Sequence, residues 1–252
     1  MKKILNIILM IILFSTTTFA SLRGDVTVLG ASEHIRLIGQ KIAKNYLYYY
    51  QNPKKAELKI KIYKDIEALE ESLIEIATTT KSRDSKNILD FLAYNKDEIK
   101  LLLEQKVNRE RSILMLDYSE SFLEGASSIA NEHKYVFSLE EEMLIAFKDL
   151  EYFLERVSKY YIASTLDLDR KNNLANMKES IILMEHTFEE INHYPYSPEL
   201  TSEVKKMNKI WMKHKSFLYN SNKVLIPNLL LSSESILKGF IYKIALYHKQ
   251  NQ

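Results

Sequence analysis

Two heptapeptides, Ser119-Glu120-Ser121-Phe122-Leu123-Glu124-Gly125 and Ser233-Glu234-Ser235-Ile236-Leu237-Lys238-Gly239, lie 114 positions apart in a chain of 252 residues. A shift of 115 superposes Ile42-Ala43-Lys44-Asn45-Tyr46-Leu47 on Val157-Ser158-Lys159-Tyr160-Tyr161-Ile162. The same shift carries Ile62, Ile66, Leu69, Leu73 and Ile76 onto Met177, Ile181, Met184, Phe188 and Ile191. Matching apolar positions alone would arise from any two amphipathic helices. The shared Ser-Glu-Ser-x-Leu-x-Gly at a nearly constant offset points further, to an internal duplication. Whatever this chain folds into, it is expected to fold into it twice.

The unit being repeated reads as helix. Five glycines and four prolines leave few breakers, and Lys, Glu, Leu, Ile and Ala dominate. Apolar residues recur every three or four positions, as in Ile35, Ile38, Ile42, Tyr46 and Tyr49, or Leu150, Phe153, Val157 and Tyr161. Asn52-Pro53 and Ser197-Pro198-Glu199 read as helix starts, and Ser138 with Glu141 as a capping box. Asp167 or Asp169 is expected to cap the helix through Met177, with loops at 78–84 and 192–197. About eight helices result, giving an all-α fold of two tandem four-helix-bundle repeats. Residues 21–134 form the first repeat and 135–252 the second, divided between Asn131 and Ser138.

Residues 1–20 read as a secretory signal. Lys2 and Lys3 precede an apolar run from Ile4 to Phe14, followed by a polar stretch and Ala20. Cleavage near Ser21 would deliver the chain to a bacterial periplasm; the apolar run is short of the roughly 20 residues of a span, and an uncleaved anchor is the alternative. The chain has no cysteine, which excludes lipid attachment through one and any disulfide. Without Lys2 and Lys3 it carries 33 basic and 33 acidic residues. Such a balance argues against nucleic-acid binding, which needs a basic face.

Chemistry of the enzymatic kind finds no support. No His-Glu-x-x-His spacing, glycine-rich phosphate loop or nucleophile elbow is present. His186 and His193 are about 10 Å apart along a helix, too far for one metal ion. The six histidines read as surface residues. Glu140, Glu141 and Glu142 open a helix, where carboxylates suit its dipole. Sixteen tyrosines, Tyr48-Tyr49-Tyr50 among them, either line a pocket or cover the ends of a bundle. Neither a cofactor nor a metal is expected.

A binding site is more plausible between Ser32 and Leu47. On a helix, Ser32, Arg36, Gly39 and Ala43 share one face, three of them small and one a permanent cation. That face suits either a close helix contact with Arg36 at the surface or a narrow groove for a planar anion. Under the 115 shift Arg36 meets Glu151 and Gly39 meets Leu154, so the first repeat alone keeps this pattern.

The run Arg36-Leu37-Ile38-Gly39-Gln40-Lys41-Ile42-Ala43-Lys44 resembles the first-helix signature of the PilJ-like family, the N-terminal sensor domain of type IV pilus chemotaxis transducers. That family is related to the periplasmic domain of nitrate/nitrite sensor kinases. The chain departs from the signature at Ser32-Glu33, His34, Leu37 and Gly39. The resemblance implies helical bundles, often in two copies, and an arginine that binds an anion across a homodimer seam; the small-residue face of Ser32, Gly39 and Ala43 would then meet the same helix of a second subunit. The matching position is Arg36, with Lys41 at a second basic position of the signature. The expected ligand site is therefore Ser32, Arg36, Gly39, Gln40 and Lys41, holding a small solute such as nitrate or nitrite. The protein would then report to a membrane sensor kinase or chemoreceptor. A structural or adaptor protein of the envelope, without a small ligand, is the alternative.

Overall fold

The computed structural model describes residues 2–219 and 227–251, with side chains over 23–219 and 230–251. Helices α1 (Lys2–Gln51), α2 (Ala56–Thr79), α3 (Arg83–Glu104), α4 (Arg109–Glu132), α5 (Leu139–Thr165), α6 (Arg170–His193), α7 (Pro198–Tyr219) and α8 (Pro227–Gln250) account for almost all of it. The fold is all-α. The side chains of the expected signal segment lie outside the described residues. Among the described residues, no helix is long and apolar enough to cross a membrane.

Helices end where local chemistry ends them. Ser138 accepts from the backbone N–H of Glu141, whose carboxylate returns to the N–H of Ser138, completing the expected capping box. Ser82 and Asn108 cap α3 and α4 with their side chains alone, accepting from the backbone N–H groups of Ser85 and Arg111. Asp169 is the residue before α6, but it sits in the left-handed region (φ 49°) and its side chain caps no backbone group. Asn52 behaves differently from the expectation. It closes α1 rather than opening α2, its side-chain amide donating to the Tyr48 carbonyl at 3.1 Å, while α2 begins at Ala56.

Two apolar cores organise the chain. Ile35, Ile38, Ile42 and Tyr46 of α1 meet Ile62, Leu69, Leu92, Ile99, Met115 and Phe122 from α2, α3 and α4. Phe147, Leu150, Val157 and Tyr161 of α5 meet Met177, Ile181, Met207, Trp211, Leu237 and Ile241 from α6, α7 and α8. Helix α1 also packs along α5, and its Leu47 is buried in the second core. The two cores are thus joined along a single α1–α5 seam, flanked by α4 on one side and α8 on the other.

The 115-residue offset is visible in contacts as well as in sequence. His133, after α4, bonds Asp25 of α1 at 2.7 Å and the Thr80 hydroxyl of the α2–α3 loop at 3.1 Å. His248, near the end of α8, bonds Glu140 of α5 at 2.5 Å and the Tyr196 hydroxyl of the α6–α7 loop at 3.1 Å. His248 is fully buried and His214 nearly so, so the reading of the histidines as surface residues fails for these two. Each histidine ties the last helix of its group to the first helix and to the loop between the middle two.

Candidate functional site

The α1–α5 seam is polar at its centre. On α1, Arg36, Gln40 and Lys44 recur every fourth residue and so form one stripe. On α5 the positions 115 later are Glu151, Glu155 and Lys159. Lys44, Glu155 and Lys159 are almost wholly buried, which is costly for charges unless each finds a partner.

They do find partners, in two clusters. In the first, the Lys44 ammonium lies 2.5 Å from Glu155 and 2.6 Å from Glu234 of α8. Lys238, one turn further along α8, pairs with Glu234 at 2.6 Å and also with Glu155. Two lysines and two glutamates thus alternate in a closed, neutral square, and Ser158 donates to Glu234 at 2.8 Å. Burial works against the Glu234 charge, but Lys44 and Lys238 outweigh it and hold its carboxyl down at about 2. Burial likewise opposes the charge on Lys238, and Glu155 and Glu234 more than offset it.

In the second cluster Lys159 pairs with Glu120 of α4 and donates to the Ser119 hydroxyl at 2.9 Å, while Arg156 reaches Glu120 at 3.2 Å. Burial pushes Lys159 down to about 8 despite Glu120. The Lys159 ammonium also lies 4.2 Å from the centre of the Tyr160 ring.

The residues expected to form one anion site are dispersed around α1. Arg36 faces α5, where its guanidinium pairs with Glu33 at 2.5 Å and Asp149 at 3.2 Å and lies 4.6 Å from the centre of the Tyr152 ring. An anion at Arg36 would have to displace one of these carboxylates. Burial raises Asp149 to about 6, against the pull of Arg36. Lys41 points to α2, pairing with Asp65 at 2.6 Å. Gln40 is buried and donates to the Ser119 carbonyl of α4 at 3.0 Å. Ser32 is buried with its hydroxyl unpartnered. Gly39 faces α4 so closely that a Cβ there would stand 2.8 Å from Phe122 Cβ. The small-residue face expected to receive a second subunit is covered at Gly39 by the chain's own α4.

Beside the ionic square opens a cleft of about 330 Å³, walled by Lys44, Asn45, Lys61, Glu234, Ser235 and Lys238, with Tyr48, Leu58 and Leu231 giving an apolar side. It joins α1, α2 and α8, and so bridges the two cores. Sequence spacing did not reveal it, because its members come from three helices far apart in the chain. A usable signal was present: Lys44 and Glu234 are charges within otherwise core-forming stretches. No group of three or more metal-binding side chains occurs among the described residues. The chain matches no family model, no curated protein and no solved structure.

Proposed function

We propose that this protein is an exported, non-enzymatic sensing module that binds a small solute and passes the binding event to a membrane partner, either a sensor kinase or a chemoreceptor. The observation that carries this reading is the ionic seam between α1 and α5, with a solvent-open cleft on its edge. A seam held by buried charges responds strongly to any change in their surroundings, because each charge depends on its partners. A solute bound across α1, α2 and α8 touches both cores at once. It can shift their relative packing by as much as its affinity differs between two arrangements. The resemblance of the first helix to the PilJ-like sensors, and the signal-like segment at 1–20, favour the same reading.

The adaptor alternative has one observation in its favour. An apolar groove between α5 and α8, lined by Phe147, Ile241, Tyr242 and Leu246, leaves Tyr242 72% exposed. Thermal melting against a panel of small anions, amines and neutral solutes separates the two. A ligand at one hundred times its dissociation constant adds about 2.7 kcal/mol, a shift of several degrees. If no solute moves the melting temperature, the sensing reading falls and the adaptor reading takes its place.

A further inference from the structure

Lys61 is the odd charge in the cleft. Its neighbours in the ionic square are mutually paired, with each lysine on two glutamates and each glutamate on two lysines. The acid one turn along its own helix, Asp65, is already held by Lys41 at 2.6 Å and by the Asn45 amide at 2.9 Å. Among the described residues no carboxylate lies within ion-pair distance of Lys61. Partial desolvation in the cleft, then the nearby Lys44, lower the Lys61 pKa from the ordinary lysine value, with Glu155 and Asp65 pulling the other way from beyond ion-pair distance. Ser235, contributed to the lining by α8, is exposed and its hydroxyl makes no hydrogen bond among the described residues, and Leu58, Leu231 and Tyr48 add an apolar side.

We infer that the cleft is a binding site for a small carboxylate bearing an apolar tail, with the carboxylate between Lys61 and Ser235 and the tail against Leu58, Leu231 and Tyr48. This rests on the sensing reading and names its site and ligand class. A neutral square beside one ammonium without an ion-pair partner suits a single negative charge, and a monocarboxylate supplies that charge. A dianion such as phosphate would bring a second charge up to Glu234, whose oxygens are already taken by Lys44, Lys238 and Ser158. Nitrate has the right charge but only four atoms. A cleft of about 330 Å³ lies at the lower end of the range for organic ligands, roughly 300–1,000 Å³, and would leave nitrate mostly surrounded by water. The apolar wall gives a ligand with a short hydrocarbon or aromatic end something to cover.

The test is calorimetry on the full chain with hexanoate, phenylacetate, hexylamine, phosphate and nitrate, repeated on Lys61→Met, Leu58→Glu and the control Lys59→Met. Lys61 is exposed and bears no ion pair, so its variant should melt as the parent does when no ligand is present. The expected result is that hexanoate or phenylacetate binds, that hexylamine and phosphate do not, and that Lys61→Met and Leu58→Glu each weaken binding at least tenfold. Lys59→Met should leave binding unchanged. Equal carboxylate affinity in the parent and Lys61→Met overturns the site. If the carboxylates fail while nitrate or another solute of the melting panel binds, this inference falls and the sensing reading stands; if nothing binds at all, both fall.

Discussion

Lys44 and Lys159, 115 positions apart, cross the α1–α5 seam in opposite directions: Lys44 of α1 reaches Glu234 on α8, and Lys159 of α5 reaches Glu120 on α4. Glu120 and Glu234 are themselves the glutamates of the repeated Ser-Glu-Ser heptapeptide. Each core thus sends a lysine to the other core's glutamate.

The reciprocity makes the seam sensitive to single changes. Lys44→Met leaves Glu155 and Glu234 with Lys238 alone, and breaking a buried pair from one side costs about 3–5 kcal/mol. Adding Glu155→Gln to Lys44→Met removes the stranded charge and should recover a good part of that loss. Urea denaturation of the parent, both single variants and the double variant gives the coupling. Additive effects would mean that the square is not an energetic unit.

Gly39 and Gly239 call for opposite outcomes. At Gly39 an added Cβ meets Phe122 Cβ at 2.8 Å, an atom fixed to the α4 backbone, so Gly39→Ala must push two helices apart. Overpacking of this kind costs about 1–3 kcal/mol. At Gly239, in the middle of α8, nothing lies within 4 Å of the added carbon. There Gly239→Ala should stabilise by about 0.5–1 kcal/mol, since alanine loses less backbone entropy in a helix. Melting temperatures moving in the same direction for both would contradict the close α1–α4 approach.

The fold was legible because its determinants are local and periodic. The apolar series, the Ser138–Glu141 box and the connection near 131–138 each follow from residues a few positions apart. The seam was not legible for a geometric reason. Spacing on α1 tells which residues share a face, as with Arg36, Gln40 and Lys44, but not which helix covers it. The small-residue spacing suits Gly39 to another subunit, but it faces Phe122, 83 positions away in the same chain. Lys61 carried no pattern at all, since its meaning comes from Asp65 being occupied by Lys41 and Asn45. The histidine ties do leave a trace in the sequence: the 115 shift that aligns the cores also carries His133 onto His248 and Asp25 onto Glu140.

Those ties should differ in strength. His248 is fully buried, bonded to Glu140 and Tyr196, and packed against the rings of Phe147, Tyr194 and Tyr247. His248→Ala removes a fully buried ring and leaves the half-buried Tyr196 hydroxyl without its partner, for a loss of about 3 kcal/mol. His133 is less enclosed and stacks on no aromatic ring among the described residues, so His133→Ala should cost about 1–2 kcal/mol. Chemical denaturation ranks the two; an equal or reversed order would show that burial at the α8 end contributes less than its contacts indicate.

Acid stability offers a test with a defined sign. Asp149, faced by Arg36 and Glu33 of α1 and Glu190 of α6, has its pKa raised by burial from 3.8 to about 6. Between those values the folded chain holds a proton that the unfolded chain has released, so this group makes stability fall as pH rises from about 4 to 6. His214, buried on α7 with Glu234 as its charged neighbour, is lowered by burial from 6.5 to about 4. There the unfolded chain holds the extra proton, and stability rises with pH over nearly the same window. The two contributions oppose each other in the parent. Asp149→Asn removes the first, so its melting temperature should fall more steeply than the parent's as pH drops from 6 to 4.5. The difference between the two curves cancels every group they share. Curves that stay parallel across that window would mean that Asp149 titrates in its ordinary range and that the Arg36 pair is not enclosed by α1 and α5.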